Sequence, residues 1–219
     1  MKRVLLSVEG QTEETFIREL LRPKFHALGI DLSAIIVGTS RGHKGGISNY
    51  HKVKPQITRL CRGDQGATVT TMFDLYALPT NFPGFGTGDY QNISNGHLKA
   101  DYLEQKLAED INEPNFIPNL SVHEFEAYLF ADAEKFKPWL RGDLDFQTLS
   151  KIANNVSSPE DINDGPQSAP SKRVLKIMPN FRKTLHGISI AKEIGVDSIR
   201  AVCPHFDQWL KKIEALRTI

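Results

Sequence analysis

The sequence predicts an α/β fold, a mostly parallel sheet flanked by helices and followed by a helical C-terminal part. Two observations carry this. Near the N-terminus an apolar run, an amphipathic helical pattern and a second apolar run follow one another, the order from which parallel sheets are built. Beyond about residue 131 the strand-forming runs stop, and short helical patterns with polar punctuation take over. The expected division is an α/β core over residues 1–131 and a helical extension over residues 132–219 packed on it.

Residues 4–8 are apolar strand formers stopped by Glu9-Gly10. Thr12 is placed to cap a helix whose first turn carries Glu13 and Glu14, the favourable sign for the helix dipole. Phe16, Ile17, Leu20, Leu21 and Leu28 recur at helical spacing, and Pro23 should kink or break that helix. Residues 34–37 read as a second strand, and residues 38–46 as a basic, glycine-rich loop. A helix follows through Val53, Ile57 and Leu60, and then a β-branched third strand over residues 68–73 that ends at Asp74. The Gly/Pro/Asn-rich stretch 77–95 is long enough to be a lid or binding loop. Leu98, Leu103, Leu107 and Ile111 mark a further helix. Residues 116–122 read as a fourth strand, restricted in its pairing by Pro118. It leads into His123-Glu124-Phe125-Glu126. The last helix, residues 204–216, carries a stripe of Phe206, Trp209, Leu210, Ile213 and Leu216 whose spacing is that of a buried face.

Composition narrows the function classes. With 27 Lys+Arg against 26 Asp+Glu, the net charge of +1 excludes a wholly basic nucleic-acid coat, though a nucleic-acid enzyme needs only a local basic surface. No apolar run approaches the ~18 residues of a membrane span. The N-terminal apolar run is too short for a signal-peptide core and is interrupted by Glu9. Two cysteines, Cys61 and Cys203, make neither a disulfide framework nor a four-cysteine zinc site, so a reducing cytoplasm is expected.

In an open parallel sheet, ligands bind at the carboxyl ends of the strands. Acids fall at three such ends: Glu9, Asp74, and Glu124 with Glu126. Acids are also common there simply because the chain emerges into water. Brought into one cleft, however, they would repel unless a cation neutralised them, and oxygen ligands select hard ions such as Mg²⁺ or Mn²⁺. Such ions at a phosphodiester activate water and stabilise the leaving oxygen. Glu9 precedes a helix N-terminus, so its carboxylate is expected to stay ionised at neutral pH, able to hold a metal or take a proton from water.

These residues resemble a family. Val8-Glu9-Gly10-Gln11-Thr12-Glu13-Glu14 resembles the first motif of Toprim domains, found in topoisomerases, primases and overcoming-lysogenization-defect nucleases. Across nearly the whole chain the sequence resembles the DUF4276 family, a Toprim-like group of bacterial proteins. The matching segments include Thr71-Met72-Phe73-Asp74-Leu75-Tyr76, His123-Glu124-Phe125-Glu126-Ala127-Tyr128-Leu129-Phe130, Ile162-Asn163-Asp164-Gly165-Pro166, Ala169-Pro170-Ser171-Lys172-Arg173 and Cys203-Pro204-His205-Phe206-Asp207. The resemblance implies a Toprim-like (Rossmann-like) fold with Glu9 as first-motif acid and Asp74 as second-motif acid. Much of the wider superfamily has Asp-x-Asp in the second motif; here the third position is Tyr76, which leaves Glu124 or Glu126 to supply that ligand. Related Toprim proteins pair with ABC- or SMC-type ATPases in anti-phage defence, so the resemblance implies such a partner.

Other constellations are weaker. The loop at residues 38–46 can cradle a phosphate with Arg41 and Lys44, or be a solvated turn; it does not fit G-x-x-x-x-G-K-[ST]. His123-Glu124-Phe125-Glu126 is neither H-E-x-x-H nor part of a zinc-deaminase signature, and no G-x-S-x-G occurs. Lys172, Arg173, Lys176, Arg182, Lys183 and His186 form the densest basic stretch, suited to phosphates or to an exposed helix face. Pro170-Ser171 would start a helix and aim Lys172 locally, which makes Lys172 the expected cation beside the metal.

The expected site is therefore Glu9 and Lys172 as catalytic groups, Glu9, Asp74, Glu124 and Glu126 as ligands to Mg²⁺ or Mn²⁺, and Arg41, Lys44, Arg173 and Lys183 on phosphates. The expected function is metal-dependent hydrolysis of DNA or RNA phosphodiester bonds, by an effector held in check by an ATPase, with no membrane contact and with self-association left open. The alternatives are a catalytically silent Toprim-like module acting through its partner, and a small-molecule phosphate hydrolase on the same sheet.

Overall fold

The computed structural model describes residues 1–38, 47–162 and 168–217. Strand β1 (Lys2–Val8) lies between β2 (Ile30–Ile36) and β3 (Thr68–Asp74), and β4 (Phe116–Ile117) and β5 (Leu120–Ser121) add to the far side of β3. Every pairing is parallel: Val4 sits opposite Leu32 and Thr68, Val69 opposite Phe116, and Phe73 opposite Leu120. Both faces are covered, which is why β1 and β3 read as near-continuous apolar and β-branched runs.

The helices divide between the faces. On one side α1 (Gln11–Phe16), a π-helical turn (Ile17–Leu21) and α2 (Arg22–His26) follow β1; α3 (Tyr50–Gly63) lies on the other. After β3 come a short α4 (Gly88–Gln91), α5 (Gly96–Ile111), and a 3-10 segment (Phe125–Ala131) entered from β5. The rest is helical: α6 (Asp143–Asn154), α7 (Pro170–Ile177), a π-helical turn (Lys183–Gly187), α8 (Ile188–Ile194), α9 (Val196–Val202) and α10 (Pro204–Glu214). One core cluster joins Val4, Leu6 and Val8 of β1 to Phe16, Phe125, Tyr128, Phe206 and Trp209. The other joins Val69 and Phe73 of β3 to Val53 and Ile57 of α3 and Leu103 and Leu107 of α5. Trp209 on α10 donates its indole N–H to Thr70 Oγ1 at 2.9 Å, tying the last helix to the central strand.

Several local expectations are corrected. Helix α1 starts at Gln11 with Gly10, not Thr12, at its N-cap; Thr12 is buried inside the first turn. Pro23 does not break the helix; the chain widens into a π-turn before it, and Pro23 sits in the first turn of α2. Strand β2 begins at Ile30, because an edge strand buries only alternate residues (Ile30 and Leu32) and its polar partners Asp31 and Ser33 disguise the run. The fourth strand is two short strands split at Pro118 and Asn119, where ladder bonds give way to side-chain bonds: Asn119 N–H donates to Thr71 Oγ1 at 2.9 Å, and Thr71 Oγ1 donates to Asn119 O at 2.7 Å. Leu98 is on α5 but 58% exposed. Among the described residues no helix is long and apolar enough to cross a membrane, and Cys61 and Cys203 are both buried free thiols.

Candidate functional site

Because β1, β3 and β5 run the same way, their carboxyl ends meet at one edge. Glu9 leaves β1, Asp74 ends β3, and Glu124 follows β5 after His123, whose left-handed backbone (φ 68°) turns the chain sharply into the 3-10 segment. A non-glycine residue held there is strained, of order 1–3 kcal/mol. His123 O accepts the backbone N–H of Tyr76 at 3.1 Å, which stitches the β3 and β5 ends together.

Backbone donors then orient the acids in a chain. Glu9 Oε1 accepts the N–H of Asp74 at 2.7 Å, Asp74 Oδ1 accepts the N–H of Phe125 at 3.2 Å, and Glu124 Oε1 accepts the N–H of Ser171 at 2.6 Å. Glu13, one turn into α1, is also buried and accepts the N–H groups of Gly10 and of its own residue. Glu126 is fully buried, and Lys183 Nζ lies 2.7 Å and 2.9 Å from its two oxygens and 3.9 Å from Glu124 Oε2. The structure thus sets Glu124 and Glu126 beside Lys183, and backbone hydrogen bonds link Glu9 to Asp74 and Asp74 to the segment that carries them.

Crowding acids out of water sets their ionisation. Burial, with Glu13 adding to it, raises Glu9 to about 7 against the bond from Asp74 N–H. Glu126 is likewise raised to about 7, first by burial and also by Glu124, although Lys183 works against it. Asp74 is held well above the usual carboxylate range by burial and then by Glu9 and Glu13. Burial alone would lower Lys183, but Glu126 and Asp74 outweigh it and raise its ammonium. The expectation of a Glu9 kept ionised at neutral pH by the helix N-terminus is therefore corrected: burial is the largest influence on it and pushes it up to about 7.

The basic residues fall differently from expectation. Lys172 on α7 is exposed, and the structure brings Lys183 rather than Lys172 to the carboxylates. The helix start at Pro170 presents the backbone of Ser171 to Glu124, and the next side chain turns outward. Arg173 Nε donates to Ser168 O at 2.5 Å. Arg41, Lys44 and residues 163–166 lie outside the described residues.

Sequence reasoning missed a second group. Among the described residues, the one trio of potential ligands with atoms all within 4.8 Å of one another is Asp101, Glu104 and His205, close enough to hold a metal ion. Asp101 and Glu104 are three apart on α5, one face of a helix. His205 Nε2 lies 2.8 Å from Glu104 Oε1, and His205 Nδ1 3.6 Å from Asp101. Glu160 receives the backbone N–H groups of His205 and Phe206, and His97 stands 3.9 Å from it. Burial works to lower His205, but the bond to Glu104 and the charges of Glu104, Glu160 and Asp101 raise it above its ordinary 6.5. The stability this network provides is full below 6.5 and is lost as pH rises through the raised value. His205→Gln is expected to flatten the fall of melting temperature above that point, measured over roughly pH 6–9; an unchanged slope in the variant would contradict the assignment.

A family model described as "Domain of unknown function (DUF4276)" matches residues 8–214. The chain belongs to the DUF4276 family. Comparison with curated proteins gives no significant match. Among solved structures, this DUF4276 chain is similar to the C-terminal region of the OLD protein of Xanthomonas campestris pv. campestris. The mercury-phased structure aligns at 16% identity with a TM-score of 0.45, over 97% of this chain and 98% of that one. The iodine-phased structure aligns at 18% identity with a TM-score of 0.44, over 98% of each.

Proposed function

We propose that this DUF4276 protein is a Toprim-like, metal-dependent nuclease that hydrolyses nucleic-acid phosphodiester bonds. The observation that carries this reading is the convergence of Glu9, Asp74, Glu124 and Glu126 at the carboxyl edge of the parallel sheet. The donor set fits a hard divalent cation: every donor is a carboxylate oxygen, and an ammonium already stands among them. Glu9 and Asp74, with Glu124 or Glu126, would hold Mg²⁺ or Mn²⁺. When bound, such an ion supplies Lewis-acid polarisation of a phosphoryl oxygen.

The chain's own groups do the rest. Glu9, raised to about 7, is matched to accept a proton from an attacking water at neutral pH. The bond from Asp74 N–H fixes one Glu9 oxygen and so orients the other. Lys183 keeps a positive charge beside Glu126 for a phosphate oxygen. Exposed Lys172 and Arg182 are proposed to contact the nucleic-acid backbone. An ABC- or SMC-type ATPase partner, a role in anti-phage defence and a cytoplasmic location belong to the same reading and rest on the family resemblance of the motifs.

The direct test is cleavage of a panel of single- and double-stranded DNA and RNA with Mg²⁺, Mn²⁺ or chelator, with and without a neighbouring ATPase gene product. Chelator-sensitive cleavage supports the reading. A second reading, a silent binding module, draws on the Lys183–Glu126 pair, which neutralises part of the site by itself. Nucleic-acid or partner binding without cleavage under every condition would favour it.

A further inference from the structure

The acid end carries its own cation, and that bears on how many metal ions it takes. Lys183 Nζ engages both oxygens of the fully buried Glu126, at 2.7 and 2.9 Å, and reaches Glu124 Oε2 at 3.9 Å. The lysine is not a loose surface chain at its base. It opens a π-helical turn in which Arg182 N–H donates to His186 Nδ1 at 2.9 Å, and the His186 ring packs 4.9 Å from Trp139 and 6.0 Å from Phe181. A divalent ion bonded to the Glu126 oxygens at about 2.1 Å would stand in the space the ammonium fills, so the two cations exclude each other there.

The Glu9–Asp74 end is arranged differently. Its carboxylates are ordered by backbone N–H groups of Asp74 and Phe125, and among the described residues no side-chain cation lies within ion-pair distance of them. Among the described residues, an ammonium thus pairs with the Glu124–Glu126 end of the acid row, and backbone N–H groups meet the Glu9–Asp74 end.

We propose that Lys183 is a built-in second cation: the site takes a single divalent ion at Glu9 and Asp74, with Glu124 the third carboxylate left to it, while the Lys183 ammonium holds Glu126 and excludes a second ion there. The proposal rests on the metal-dependent reading above and specifies its stoichiometry. An ammonium donates hydrogen bonds but is no Lewis acid, so Lys183 acts as a positioning residue for a phosphate oxygen and for Glu126.

The test is a Mn²⁺ titration followed by calorimetry, in a His205→Gln background that silences the Asp101–Glu104–His205 trio. With Lys183 intact, one ion is expected, and its binding should vanish in Glu9→Gln/Asp74→Asn. Lys183→Met, which keeps the length and removes the charge, should bind two. Two ions with Lys183 intact would overturn the proposal and leave the nuclease reading standing. One ion in both proteins would overturn it too, because the Glu126 end would then not be a cation site that Lys183 guards. No binding sensitive to Glu9 and Asp74 would overturn the metal reading and the proposal together. If Lys183→Met fails to fold, the ion count of the Lys183-intact protein still decides.

Discussion

Replacing Glu9 by Gln is expected to lower metal-dependent cleavage by at least ~10², the scale for losing a general base or a metal ligand, while the protein stays folded and gains stability near and above pH 7. The two effects have one origin. Glu9 is buried beside Glu13 and Asp74, and its value is raised from 4.5 to about 7. The fold therefore favours the neutral carboxyl: its contribution is full below 4.5 and is lost as pH rises through about 7. By that linkage the ionised group destabilises the fold by on the order of 3 kcal/mol, and Gln removes that penalty while keeping the shape. Cleavage rates and urea midpoints measured on one preparation across pH check both halves. Glu13→Gln is the control. It should do less to cleavage, and because Glu13 helps raise Glu9, it should move the acidic limb of the rate profile to lower pH. A folded Glu9→Gln protein with wild-type cleavage would end the nuclease reading.

The second large effect concerns the helical C-terminal part. Trp209→Ala is expected to destabilise by about 3–5 kcal/mol, the usual range for emptying a buried aromatic site. Trp209 is essentially inaccessible to solvent, packs against Phe206, and donates to Thr70 Oγ1 in the sheet. Trp209→Phe should do less, losing the indole donor but keeping an aromatic ring. Pairing it with Thr70→Val, which removes the stranded hydroxyl, should recover part of the loss. Urea unfolding measures all three. A Trp209→Ala protein within about 1 kcal/mol of wild type would mean that α10 is not integral to the core on β1 and β3.

What the sequence made legible follows from which forces are local. Strands covered on both faces must be apolar throughout, so β1 and β3 and their terminal acids Glu9 and Asp74 stand out by inspection. The stripe of Phe206, Trp209, Leu210 and Ile213 is equally plain, because helical periodicity survives in any context. The edge strand β2 was half hidden by Asp31 and Ser33, and the Pro118 signal pointed to restricted pairing without revealing that Asn119 and Thr71 would replace the ladder.

The site was legible only in its carboxylates. Lys183 meets Glu126 across 57 residues of sequence through the packing of a π-turn, and no local spacing announces it. Lys172 looked better placed because the helix start beside it is visible in sequence, yet a helix start fixes a backbone, and the Ser171 N–H is what reaches Glu124. Glu13 carries a sufficient local explanation as a first-turn acid, which masked its burial among the other carboxylates. The Asp101–Glu104–His205 group had a faint signal in the three-residue spacing on α5, but its histidine comes from the far end of the chain.

Whether Glu9 and Asp74 together hold a divalent cation at the sheet edge is decided by calorimetric titration of the intact protein with Mn²⁺. Binding is expected in the micromolar-to-millimolar range of partly exposed oxygen sites, abolished in Glu9→Gln/Asp74→Asn and retained in His205→Gln. Equal Mn²⁺ binding by wild type and the Glu9→Gln/Asp74→Asn protein would contradict it.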